Sequence, residues 1–188
     1  MEIKARIIDL LKSTERENID SLIAEMEYIG FFEAPCSGGY HLCKEGGLAE
    51  HSLNVCETAM KMCQALNRDD LMESAVISAL LHDLGKCGDY GKKYYVENTL
   101  KSGKVSDAKP YKRNDELLEK NHAVKSIILA NRFIDLTEDE EYAILHHDGL
   151  YESANYDVKG NETPLFCIIH WSDMWSSHFI EVEDVKNT

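Results

Sequence analysis

None of the six cysteines stands in a C-x-x-C pair: Cys36, Cys43, Cys56, Cys63, Cys87 and Cys167 are scattered. That spacing argues against a structural zinc knuckle or ribbon. The chain also lacks any run of about 18 apolar residues, which excludes a membrane-spanning helix. Its first residues, Met1-Glu2-Ile3-Lys4-Ala5-Arg6, lack the basic and apolar regions of a signal peptide. Together these absences read as a cytoplasmic protein with reduced thiols rather than a disulfide framework. Basic residues are scarce, 20 against 34 acidic, and the net charge of −14 counts against binding a nucleic-acid backbone. A small phosphorylated substrate, drawn in by local positive charge and by bound metal ions, suits this balance better. There is no internal repeat and no low-complexity tract.

What is present is helical periodicity. Apolar residues recur at helical spacing over 3–12 and 19–29, with Gly30 as a stop. A helix is predicted from Leu48 to about Asn67 with Leu53, Cys56, Met60, Cys63 and Leu66 on one face. Another is predicted over 71–84, capped by Asp69 or Asp70. Helical pattern resumes at about 116–133. Thr137-Glu138-Asp139-Glu140 has capping-box form and opens a helix ending at His146-His147. Pro164 suits the first position of a last helix running to about Ile180. Between these lies a polar stretch, 88–121, in which Tyr94-Tyr95-Val96 hints at a short strand. It reads equally as a floppy insertion or as a substrate loop. At 188 residues the chain fits one all-α domain spanning 1–188, with N-terminal helices over 1–30.

The apolar run Ala79-Leu80-Leu81 ends in His82-Asp83, followed by Leu84-Gly85-Lys86. A carboxylate at the end of a core helix is costly unless paired or bound to metal. Asp173 stands in similar company, among Phe166, Ile169, Trp171, Met174 and Trp175. His51, His122, His146 and His147 supply further imidazoles. A metal centre accounts for all of them together. Imidazole and carboxylate ligands suit Fe, Mn, Zn, Ni or Co.

The ordered set His51, His82-Asp83, His122, His146-His147 and Asp173 resembles the HD-domain superfamily of metal-dependent phosphohydrolases. The surrounding words agree: Gly46-Gly47-Leu48-Ala49-Glu50-His51-Ser52-Leu53, Leu81-His82-Asp83-Leu84-Gly85-Lys86, His122-Ala123-Val124-Lys125-Ser126 and Leu145-His146-His147-Asp148-Gly149. The resemblance covers about residues 40–180 and implies a bundle of about five core helices. It implies that His51, His82, Asp83 and Asp173 hold one divalent ion. Asp83 would then bridge to a second, bound by His122 and His146, with His147 as a further ligand or a substrate contact.

The implied activity is hydrolysis of a phosphoester, of a nucleotide or a similar molecule, by metal-activated hydroxide. Two ions about 3.5–4 Å apart can clamp a phosphoryl oxygen and acidify a bridging water. Asp83 and Lys86 are the candidate catalytic residues. Lys86 would steady the phosphate or leaving oxygen, or else complement a helix dipole. Ser177, one helical turn after Asp173, is a candidate substrate contact alongside Lys86. Alternatives are a phosphodiesterase or 3′–5′ exonuclease of the same fold, a di-iron oxygenase of the HD type, and a non-catalytic binding module with a degenerate site. The Gly-Tyr-Pro signature of cyclic-di-GMP phosphodiesterases is absent after Lys86, where Cys87-Gly88-Asp89 stands. His41 reads as a substrate contact or a loop residue, His170 as packing or a hydrogen-bonding support, and His178 as surface. Lys92, Lys93, Lys109, Lys112 and Arg113 give the 88–121 stretch a positive patch, readable as a recruiting site or as solvated side chains.

Overall fold

A computed structural model describes residues 2–118 and 120–182, so the expected domain limits at 1 and 188 lie outside the described residues. Helix α1 (Glu2–Lys12) buries Ile7, Leu10 and Leu11, and α2 (Ile19–Tyr28) buries Ile19, Leu22, Ile23 and Met26. Both are one-sided stripes at helical spacing. Gly30, at φ +80°, ends α2 in a Schellman turn, with the Phe31 amide donating to the Met26 carbonyl at 2.9 Å.

Helix α3 (Gly47–Ala65) turns Leu48, Val55, Cys56, Ala59 and Cys63 inward, and His51 and Ser52 with them. It starts against the preceding loop so closely that a Cβ on Gly47 would lie 2.1 Å from the Leu42 carbonyl oxygen. Helix α4 (Met72–Leu81) is buried continuously from Ala75 to Leu81, the mark of a central helix. Neither Asp69 nor Asp70 caps it, contrary to expectation. Both fall in a single 3₁₀ turn, Asp69–Leu71, and Arg68 takes both Asp70 oxygens at 2.8 and 2.7 Å. A charge-assisted, two-point bond of this kind outcompetes a cap. Helix α4 also stops at Leu81, short of residue 84. His82-Asp83 thus lie in a break before a 3₁₀ turn over Leu84–Lys86.

The 88–121 stretch is folded against the body. Strands β1 (Tyr95–Glu97) and β2 (Tyr111–Arg113) pair antiparallel, with Tyr95 opposite Arg113. The hairpin docks on the loop before α3: the Tyr111 amide donates to the Gly38 carbonyl at 3.2 Å. A Cβ on Gly38 would lie 2.7 Å from the Tyr111 oxygen. The helix expected over 116–133 is shorter, α5 (His122–Ala130). Asn121 caps it, accepting from the Val124 amide at 3.1 Å, while Asn114 turns the chain at 114–117.

Helix α6 (Glu138–Leu145) carries the expected capping box, Thr137 and Glu140 bonding each other's backbone amides. Helix α7 (Pro164–Trp175) has Thr163 as its cap and Pro164 in its first turn, and passes into a π-helical turn over Ser176–Ile180. Helices α3, α4, α6 and α7 pack on one another. Helix α1 covers α3 and α4, and α5 lies on the Leu84–Lys86 turn and on α6. The fold is all-α apart from the hairpin. Of the apolar residues expected around Asp173, Phe166 and Ile169 are buried, whereas Trp171 and Trp175 are about half exposed. No described helix is long and apolar enough to cross a membrane.

Candidate metal centre

Four helices and one break deliver the site. His51 comes from the second turn of α3 and Asp173 from α7. His82 and Asp83 come from the break after α4, His122 opens α5, and His147 follows α6. Their ligand atoms meet. His51 Nε2 lies 3.2 Å from His82 Nε2, 3.2 Å from Asp173 Oδ1 and 3.7 Å from Asp83 Oδ2. On the other side of Asp83, Oδ1 lies 3.3 Å from His122 Nε2 and 3.6 Å from His147 Nε2, and those two nitrogens are 3.2 Å apart.

The hydrogen bonds on the far side of each ring decide which nitrogen faces the cluster, and without a cation a proton on His51 has to hold its half together. His82 Nδ1 donates to the Ala79 carbonyl at 2.8 Å, and His147 Nδ1 to the Ile144 carbonyl at 2.7 Å. His51 Nδ1 is held by the Glu181 carboxylate at 3.0 Å. In a neutral imidazole the other nitrogen then carries a lone pair. The lone pair of His82 therefore faces His51, whose ring, despite its burial, Asp173 and Glu181 hold protonated well above its usual range until a cation takes the place of the Nε2 proton, and the lone pair of His147 faces Asp83. Asp83 is fully buried, yet its Oδ1 has no hydrogen-bond partner. A stranded carboxylate oxygen among imidazole lone pairs is the donor set of a divalent cation, so these residues could hold metal.

The charges agree. Burial works to raise the Asp83 carboxyl, but Lys86 and the surrounding imidazoles outweigh it and hold it well below the usual range. Lys86 Nζ lies 2.6 Å from Asp83 Oδ2. Asp173 is likewise held low, its burial offset by the hydrogen bond with His51. Burial pushes His122 down to about 4, leaving a neutral ring ready to ligate.

His146 is not brought into the cluster. Its ring lies 4.6 Å from that of Tyr142, and Nδ1 donates to Asn155 Oδ1 at 2.8 Å. Consecutive side chains leaving the end of α6 point to opposite sides, and His147 is the one that faces Asp83. Asp148, read in sequence only as part of the word Leu145-His146-His147-Asp148-Gly149, lies 3.5 Å from His122 Nε2 and 3.6 Å from His147 Nε2. Its signal was available in the word His-His-Asp-Gly. Glu181 and Asn54, which hold His51, carried no such signal. His170 supports the site from behind, its Nδ1 donating to the His147 carbonyl at 2.7 Å while it stacks on Phe166.

No thiolate was expected, and Cys36 arrives beside the site, its Sγ 3.2 Å from His41 Nε2. Burial pushes the Cys36 thiol up to about 11, so at neutral pH it is a protonated neighbour. Ser177 Oγ donates to the Asp173 carbonyl at 2.9 Å at the mouth of the site, and His178 is exposed there. The mouth is a cavity of about 160 Å³ lined by His51, Lys86, His147, Asp148, Asp173 and Ser177. Lys86 and Ser177 also line an adjoining groove of about 1020 Å³, whose far wall is the hairpin with Lys109, Lys112 and Arg113. Lys92 lies outside this groove, pairing with Glu116 at 3.1 Å.

No solved structure matches the chain. A dihydroneopterin 2′,3′-cyclic phosphate phosphodiesterase from Methanocaldococcus jannaschii is 32% identical over 103 residues, covering 49% of this chain and 37% of that protein. The aligned part is thus little more than a third of the relative's length. A family model described as HD domain matches residues 48–173, a span that contains His51, His82, Asp83, His122, His147 and Asp173, and the chain belongs to the HD domain family.

Proposed function

We propose that this protein is a metal-dependent phosphohydrolase with a two-ion centre. His51, His82, Asp83 and Asp173 would hold one divalent ion; Asp83, His122 and His147 would hold the other, with Asp148 beside it. The observation that carries this reading is the pose of Asp83. Its Oδ2 faces His51 and His82 at 3.7 and 3.4 Å, and its Oδ1 faces His122 and His147 at 3.3 and 3.6 Å. One carboxylate thus serves two clusters.

Divalent ions held there supply Lewis acidity and a water of lowered pKa. The chain's own residues do the rest. Lys86, the cation at the mouth, neutralises Asp83 at rest and stands where a phosphate or leaving oxygen would enter, a positive point charge for developing negative charge. Ser177 offers a hydroxyl at the same mouth. The groove beyond, walled by Lys109, Lys112 and Arg113 in an otherwise acidic protein, suits the remainder of a small phosphorylated substrate such as a nucleotide. The activity named for the archaeal relative, on a 2′,3′-cyclic phosphate, favours a phosphodiester as the second substrate class.

The test is product release, with Mn²⁺ or Fe²⁺ supplied and Asp83→Asn alongside: phosphate from nucleoside monophosphates, the ring-opened monoester from nucleoside 2′,3′-cyclic phosphates, and the alcohol from a generic phosphodiester. Release that disappears in the variant, together with both ions, supports the reading, and the preferred substrate separates monoester from diester. A metal-loaded protein that releases nothing but consumes oxygen overturns it in favour of di-iron oxygenase chemistry.

A further inference from the structure

We propose that Glu181 is a positioning residue of the metal centre: its buried carboxylate fixes the tautomer and aim of His51. The proposal rests on the two-ion reading above. Both carboxylate oxygens lie 3.0 Å from His51 Nδ1, so Nδ1 carries a proton and Nε2 is the nitrogen aimed at His82, Asp83 and Asp173, open to a cation once its own proton leaves. Glu181 is itself held. Asn54, from the turn after His51 on α3, donates Nδ2–H to Oε1 at 3.0 Å, and His41 Nε2 approaches Oε2 at 3.6 Å. The Glu181 side chain is 1% exposed. A buried carboxylate with no Lys or Arg against it among the described residues is costly; a partner that becomes more basic and binds a cation offsets that cost.

The backbone is shaped to deliver it. Asp173 and Glu181 lie eight residues apart on one continuous helical path, and both must reach His51. In a regular α-helix eight steps leave the second residue about 80° around from the first. The path instead widens into a π-helical turn over Ser176–Ile180, closed by the Glu181 amide donating to the Ser176 carbonyl at 3.0 Å. Wider turns rotate less per residue, which brings Glu181 back onto the face of Asp173. Such π-turns are frequent at functional sites. One helix thus supplies a candidate ligand and, one π-turn later, the group that orients a second.

The test measures zinc binding to metal-stripped wild-type protein, Glu181→Gln, Glu181→Ala and Asn54→Ala by competition with a chelator, with melting curves for each. Glu181→Gln keeps the shape and loses the charge. Its affinity for the ion at His51 should fall about 10- to 100-fold, while the ion at His122 and His147 is retained. Formate, reaching the vacated space from the adjoining groove, should restore part of the loss in Glu181→Ala, which a purely structural role would not allow. Imidazole nitrogen NMR of the zinc-loaded protein should show His51 protonated at Nδ1 and bound through Nε2 in the wild type, and a mixture of Nε2- and Nδ1-bound rings in Glu181→Ala. Wild-type zinc affinity in a folded Glu181→Gln overturns the proposal. If that variant does not fold, unchanged affinity in Asn54→Ala overturns it. Wild-type protein that binds no ion defeats the two-ion reading and this proposal with it.

Discussion

A methyl group on Gly85 would stand 2.0 Å from the carbonyl oxygen of His122 and 3.0 Å from the Ser126 amide. The break after α4 and the start of α5 are in backbone contact, and Ser126 Oγ joins them, accepting from the Gly85 amide at 2.8 Å and donating to the His82 carbonyl at 2.7 Å. The contact sets the spacing between Asp83 and His122, hence between the two halves of the site. Gly85→Ala must push α5 away. The expected loss is at least the ~1–3 kcal/mol of an overpacked core, visible as a lowered urea midpoint. The variant should also bind about one ion per chain instead of two; two ions at unaltered affinity would show that the spacing is not set here.

His146 and His147 are neighbours with different surroundings, and substitution separates them. His147→Ala should lose the ion shared with His122. His146→Ala should keep both ions and lose the bond to Asn155, about 1 kcal/mol, and the ring contact with Tyr142. Elemental analysis of the two variants decides; the reverse result would restore His146 as the ligand.

Lys86 Nζ lies 2.6 Å from Asp83 Oδ2. Lys86→Met removes the charge and keeps most of the stem. Ion content should be unchanged or higher, because Asp83 then has only ions and imidazoles to balance it, while kcat falls by 10-fold or more. Unaltered kcat with normal ion content would reduce Lys86 to a charge balance for Asp83.

Stability outside the site turns on Glu140, which is fully buried. It accepts from Arg16 Nη2 at 2.6 Å and from the Thr137 amide at 2.8 Å, tying the segment between α1 and α2 to α6. Glu140→Gln should cost about 2–3 kcal/mol, below the ~3–5 for fully buried pairs because Arg16 still reaches water. Urea unfolding with an unchanged slope would read this directly.

Much of the fold was legible because local chemistry decided it. The capping box at Thr137 and Glu140, Pro164 in the first turn of α7, the stop at Gly30 and the stripes of α1 and α2 are short-range features that tertiary packing left in place; of the face expected on α3, only Cys56 and Cys63 are buried and Leu66 is exposed. Where packing or a competing bond intervened, the sequence misled. Arg68 drew Asp70 away from its cap, Asn121 shortened α5, and Trp171 and Trp175 face outward although their composition suggests a core.

By itself the sequence named His51, His82, Asp83, His122 and Asp173 as side chains to look for together, because a histidine-aspartate pair at the end of an apolar run is costly to bury without a charged or metal partner. Only the tertiary structure decided between His146 and His147, since one residue of rotation at a helix end carries a side chain across the site, and no periodicity marks which one faces in. It alone brought Asp148, Asn54 and Glu181 to the centre. Glu181 lies 130 residues from His51 along the chain, and its place depends on a π-turn and on the packing of α7 against α3, neither of which is written in any local pattern.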